Sequence, residues 1–191
     1  CDVFQVDTAH ADSLNVMNAV KFLKKEYPKI DVVAGNISNG EAAKWLVAAG
    51  ADGILVGQGP GSICTTRIIA GIGVPQVSAI HDCAKAIRGS GVPIVADGGI
   101  TNSGDVVIAL AVGAEAVMVG RALAGTDESP GDMRIVEGVK MKAYRGMGSL
   151  GAMRDNASSR ERYGQVATTG GKFVPEGVEG IVPYQGSAAD V

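Results

Sequence analysis

Through the first two thirds of the chain, short apolar runs alternate with segments whose apolar positions recur at helical spacing. Residues 4–7 read as a strand ending in Asp7-Thr8-Ala9-His10, after which Leu14, Met17, Val20 and Leu23 mark one face of a helix up to Pro28. Residues 30–34 form a second strand. Ser38 or Asn39 caps the next helix, which places Ala42, Trp45, Leu46 and Ala49 inward and stops at Gly50. A third strand over 53–56, a helix over 80–88 and a fourth strand over 93–97 follow. Asn102 or Ser103 then caps a helix with Val106, Ala109 and Leu110 inward, and residues 116–119 make the last strand.

Strict β-α alternation implies parallel pairing through right-handed crossovers. Residues 48–57 (AAGADGILVG) echo residues 111–120 (AVGAEAVMVG), each a helix end, a turn and a buried strand. Repeated units whose strands end in polar or Gly-rich loops predict an α/β fold of the TIM (β/α)₈ barrel type, of which five C-terminal βα units are present. The active site of such a barrel lies at the carboxyl ends of the strands. Residues 1–123 are assigned to this partial barrel. Residues 124–191, Gly-rich and weakly periodic, read as a mobile flap and loop region of the same catalytic domain. The chain opens inside a strand and closes without a terminal helix, so both ends read as cut.

Composition narrows the function. The chain is 46% hydrophobic and 4% aromatic with 28 glycines, which suits close helix–sheet packing. A formal charge of −3 gives no basic footprint for nucleic acid. Three cysteines without paired spacing argue for a reducing, cytoplasmic setting rather than a disulfide framework, and two histidines make a zinc site improbable. No apolar run reaches the ~20 residues of a membrane span.

The chemistry concentrates in VGQGPGSICTTR at 56–67, directly after the third strand. Glycines allow close backbone approach to a ligand, and Cys64 among them is a nucleophile candidate. Cys83 shares a helical stripe with Ile80, Ala84 and Ile87 and reads as core. Asp97 at a strand end could accept hydrogen bonds from both hydroxyls of a ribose. Gly98-Gly99 and Gly120-Arg121, following two neighbouring strands, suit phosphate on backbone N–H groups, with Ser62 adding a hydroxyl.

GPGSICTTR, ADGGI, ESPG, YRGMGSLGAM and VPEGVEG, in this order across essentially the whole chain, resemble the inosine-5′-monophosphate dehydrogenase family. The resemblance places the stretch at the fourth to eighth barrel strands plus the flap, leaving outside it the first three strands, a CBS insert and a C-terminal segment. It implies NAD-dependent oxidation of IMP to XMP, the committed step of guanine nucleotide synthesis, through a covalent thioimidate on Cys64, in a full-length homotetramer; the isolated piece is expected to be inactive. Thr66, Arg162 and Tyr163 would join Cys64 as catalytic residues, although Arg-Glu-Arg-Tyr also reads as a solvated charge cluster. Tyr144, Gly146, Met147, Gly148 and Glu176 would meet the base. Asp7, Asn36 and Gly57 would line the NAD groove, although Asp7 and Asn36 also suit helix capping, and His10 is equally open. Carbonyls of Gly59, Gly61 and Cys64 would face a potassium ion whose other ligands come from a neighbouring subunit. Leu55 departs from a family Lys or Arg, Arg121 from a small residue and Gly164 from an aromatic one. The alternatives are GMP reductase, whose flap typically lacks the Arg-Tyr pair, and a non-catalytic nucleotide-binding paralogue.

Overall fold

A computed structural model describes residues 1–165 and 172–191. The chain divides into two compact units, one of Cys1–Pro60 with Ile72–Met118, the other of Gly61–Gly71 with Val119–Val191. The first unit carries, in chain order, β1 (Val3–Asp7), α1 (Leu14–Glu26), β2 (Asp31–Ile37), α2 (Gly40–Ala49) and β3 (Gly53–Val56). After α3 (Thr66–Ile69), which belongs to the second unit, it continues with α4 (Gln76–Ala86), β4 (Ile94–Asp97), α5 (Ser103–Ala111) and β5 (Ala116–Met118). The strands form one parallel sheet in the order β1-β2-β3-β4-β5, as the alternation predicts.

Local chemistry sets the helix ends. Asn39 Oδ1 accepts the Ala42 N–H at 2.8 Å to cap α2, and Gly50 closes it in the left-handed region at φ 100°. Asp105 accepts the N–H groups of Thr101 and Asn102 at the start of α5. Lys24 of α1 is paired with Asp52 at 2.7 Å, and the same carboxylate accepts the Val32 N–H at 2.8 Å. The core between helices and sheet is made of Val20, Val32, Ala34, Leu46, Ile54, Val56, Ile80, Cys83 and Ile94 among others.

Two inward assignments need correction, and one position on the face drawn for α1 is exposed. Trp45 is 44% exposed, Leu14 73% and Leu110 44%. Helix α2 instead buries Ala42, Ala43, Leu46 and Ala49, and α1 buries Val16 and Val20. The stripes drawn from sequence thus included an exposed large side chain in each helix and left out Val16 of α1 and Ala43 of α2, which are buried.

Residues 124–191, read from sequence as a flap and loop region, carry regular elements within the second unit. Besides α3 it contains α6 (Arg121–Ala124), α7 (Leu150–Asp155) and α8 (Ala157–Arg162). Strands β6 (Met133–Val136), β7 (Val139–Arg145) and β8 (Glu179–Pro183) form an antiparallel sheet in that order. Glu137 and Gly138, at φ 51° and 80°, make the two-residue turn between β6 and β7, with the positive φ pair that matches strand twist. Within this unit the Glu128-Ser129-Pro130-Gly131 segment is tied down on several sides. Buried Lys142 of β7 donates to the carbonyls of Thr126 and Ser129, and Glu128 accepts from Ser187 Oγ at 3.0 Å and Ala188 N at 2.8 Å. A Cβ on Gly131 would stand 1.9 Å from the Ala143 carbonyl oxygen, so no other residue fits there.

Candidate active site

At the carboxyl ends of the first unit's strands, side-chain amides connect one strand end to the next. Asn36, in β2, is 3% exposed. Its Nδ2 donates to Gly57 O at 2.8 Å and to Asp97 Oδ2 at 2.7 Å, reaching across β3 to the end of β4. Gln76, opening α4, donates from Nε2 to Val56 O at 2.8 Å and Asp97 O at 3.2 Å. Gly57 N–H donates to Ile37 O, and a Cβ on Gly57, at φ +146°, would stand 2.0 Å from Asp97 O. Close packing on Asp97 therefore accounts for this glycine. The structure thus joins Asn36 to Asp97, while Asp7 stands at the exposed end of β1. Gly99, exposed at φ +81°, follows β4.

Asn36 Oδ1 is buried without a hydrogen-bond partner among the described residues. An orphaned buried acceptor costs ~1–3 kcal/mol, which a ligand hydroxyl or amide would recover. Leu55 is 1% exposed and opposes Gly35, whose Cβ would lie 2.4 Å from Leu55 Cβ. Here the position is apolar and closely packed.

In the second unit, Cys64 sits half-buried in a turn closed by its own N–H on Gly61 O at 3.0 Å. Its Sγ donates to Thr66 Oγ1 at 3.2 Å. Thr65 N–H donates to Glu176 O at 2.8 Å and Val178 N–H to Ile63 O at 3.0 Å, so the cysteine turn is laced to the VPEGVEG segment. Glu176 N–H in turn donates to Gly148 O at 2.9 Å, which adds the YRGMGS segment as a third backbone layer. A Cβ on Gly148 would lie 2.8 Å from Tyr163 Cζ. The glycines of these motifs therefore let three backbones and one phenol converge.

Tyr163 is held above its ordinary pKa by burial first and then by the negative charge that the nearby Cys64 would carry on ionising; the charge of Arg162 and a hydrogen bond from it act in the opposite sense. Glu176 adds a smaller upward push. Cys64, Thr66, Arg162, Tyr163 and Glu176 are thus one cluster, drawn from segments far apart in sequence. Gly146 is buried in the same layer, while Met147 and Ser62 are exposed. Gly164 adopts φ +65° with open space where a Cβ would stand, a conformation that disfavours an aromatic residue.

A cleft of about 1010 Å³ within this unit is lined by Gly120, Arg134, Tyr144, Arg145 and several acidic residues. Tyr144 Oη lies 3.1 Å from the place of a Cβ on Gly120, which brings these two expected substrate contacts together. Arg121 opens α6 exposed and does not line the cleft. Of the carbonyls assigned to potassium, Gly61 O already accepts the Cys64 N–H, and Gly59 belongs to the first unit. No group of three or more His, Cys, Asp or Glu suited to a metal occurs among the described residues. Sequence reasoning missed Gln58, Gln76 and Lys142, because isolated polar residues whose partners are distant in sequence leave no local pattern.

No helix among the described residues is long and apolar enough to cross a membrane. The model of the IMP dehydrogenase / GMP reductase domain family matches residues 1–191. The chain is 56% identical over 190 residues to inosine-5′-monophosphate dehydrogenase of Aquifex aeolicus, covering 100% of this chain and 38% of that protein. It is 53% identical over 189 residues to the protein of the same name from Halalkalibacterium halodurans (99% and 38%), and 54% over 190 residues to that of Thermoplasma acidophilum (100% and 38%). The chain therefore spans about 38% of the length of these curated relatives. With the family model matching along its full length, the chain belongs to the IMP dehydrogenase / GMP reductase domain family.

Proposed function

We propose that the protein containing this chain oxidises IMP to XMP with NAD⁺, with Cys64 as nucleophile, in guanine nucleotide synthesis. The observation that carries the reading is the cluster of Cys64, Thr66, Arg162, Tyr163 and Glu176 within the second unit. The Cys64 thiolate adds to C2 of the hypoxanthine, and loss of hydride from C2 leaves a thioimidate on sulfur. Bound NAD⁺ supplies the acceptor for that hydride. Water then adds to the same carbon, C2–S cleaves to return the thiolate, and XMP leaves. Thr66, hydrogen-bonded to Sγ, and the Arg162–Tyr163 pair are the groups beside the sulfur that orient and deprotonate this water. Because guanidinium is protonated at any ordinary pH, Arg162 acts with Tyr163 and Glu176 rather than alone.

Asp97 and Gly99 are assigned to the ribose and phosphate, Ser62, Gly120 and Arg121 to the phosphate, and Tyr144, Gly146, Met147, Gly148 and Glu176 to the base. Asp7, Asn36 and Gly57 are assigned to NAD. The orphaned Asn36 Oδ1 supports a ligand donor there. We also place a potassium ion on the carbonyls of Gly59, Gly61 and Cys64, with ligands from a neighbouring subunit of a cytoplasmic homotetramer. A (β/α)₈ barrel is supported by α1, α2, α4 and α5 touching one another in chain order alongside a parallel sheet.

The test is the full-length protein assayed with IMP plus NAD⁺ and with GMP plus NADPH. NADH formation with the first pair only is expected. NADPH consumption with the second pair only would make the protein a reductase, and neither would make it a nucleotide-binding paralogue.

A further inference from the structure

One buried amide joins three strand ends of the first unit. Gln58, just after β3, is 5% exposed, and Ser38, just after β2, is 8% exposed. Ser38 Oγ donates to Gln58 Oε1 at 2.5 Å. Gln58 Nε2 donates to Ala9 O at 3.2 Å and lies 2.6 Å from His10 Nδ1, both residues following β1. A carbonyl only accepts, so Ala9 O fixes which end of the amide is NH₂. The second hydrogen of that nitrogen then meets His10 Nδ1, which must present its lone pair, and the ring proton is left on Nε2. The Ser38 hydroxyl, able to donate, satisfies Oε1. His10 itself is exposed, so this buried arrangement fixes a group at the surface.

We propose that Gln58 is a positioning residue that locks His10 in the Nε2–H tautomer, giving the rim beyond β1 a neutral N–H donor for an acceptor oxygen of a dinucleotide. The ligand role rests on the NAD⁺ reading above; the tautomer does not. Nothing in the sequence pattern marks Gln58, since a single glutamine in a glycine-rich loop has no periodicity.

Diethyl pyrocarbonate, which attacks the lone pair of a neutral imidazole, reads the lock directly in the full-length protein. His81, exposed on α4, is the internal reference. His10 should carbethoxylate about tenfold more slowly than His81, the ratio that one hydrogen bond on the reacting lone pair imposes. Gln58→Met should bring the two rates together, and should raise KM for NAD⁺ about tenfold while KM for IMP moves little, since one ligand hydrogen bond is lost. Equal reactivity of His10 and His81 in the unsubstituted protein overturns the proposal and needs no variant to fold. Protection of His10 in a protein that does not reduce NAD⁺ supports the lock and removes the dinucleotide role. An unchanged KM for NAD⁺ in a folded Gln58→Met variant of an active enzyme overturns that role.

Discussion

Two cysteines of this chain occupy opposite environments. Cys64 is half-buried in a turn with its sulfur on Thr66, whereas burial first, and the Asp82 charge second, push the Cys83 thiol up to about 12. The thiolate is the reactive form, so iodoacetamide at about pH 8 should label Cys64 and leave Cys83 intact, read by peptide mass mapping. Labelling of Cys83 in the native protein would contradict the assignment. Gly148→Ala is a second residue-scale test. The added Cβ meets the Tyr163 ring at 2.8 Å, and misplacing a catalytic group by that kind of contact should lower kcat about 100-fold. Alkylation of Cys64 should be unaffected; an unchanged kcat would remove Tyr163 from the chemistry. Cys64 was legible from sequence because glycines, a strand end and a motif all converge on it. Asn36 was legible only as a polar strand end: its partner Asp97 lies two strands away, and only the sheet order brings them together.

Among the elements, the βα units were readable and the antiparallel sheet was not. In α2 a cap, a period and a glycine stop fall within one short window, and in α1 the Ser13 cap precedes a helical period that ends before Pro28. In the antiparallel sheet, β6 and β7 do form a short hairpin, but its turn is Glu137-Gly138 rather than Asn-Gly or Asp-Gly, and β8 pairs from far along the chain. Lys142 is the element-scale prediction. Its buried ammonium gathers the carbonyls of Thr126, Asp127 and Ser129, two positions before Tyr144 on the same strand. Lys142→Met should leave these acceptors unsatisfied and destabilise the domain by about 1–3 kcal/mol, measured by urea denaturation. No change in the midpoint would mean that the cage contributes nothing net.

At the scale of the molecule, the parallel sheet has β1 and β5 as its described edges. Val107 and Ile108 on α5 and Met118 on β5 are exposed beside the second edge. Unprotected strand edges with adjacent apolar surface template association. The 191-residue chain produced alone should therefore form heterogeneous aggregates on size exclusion with light scattering, while the full-length protein should elute as one defined oligomer, the proposed homotetramer. A monodisperse monomer of the short chain would contradict this account of its edges. Sequence alternation foretold a parallel sheet, yet no pattern in the chain marks residues 61–71 as packing with Val119–Val191. That grouping depends on backbone hydrogen bonds between glycine-rich segments, and such bonds carry no side-chain signature.

The central claim, that Cys64 forms a bond to the purine, is tested most directly by acid-quenching the full-length enzyme during turnover of IMP with NAD⁺. Peptide mass spectrometry of the segment containing Cys64 then reads the adduct. The account predicts a nucleotide-mass adduct on Cys64 that needs both substrates and disappears in Cys64→Ser. Steady NADH production with no adduct on Cys64, or with full activity retained in Cys64→Ser, would contradict it.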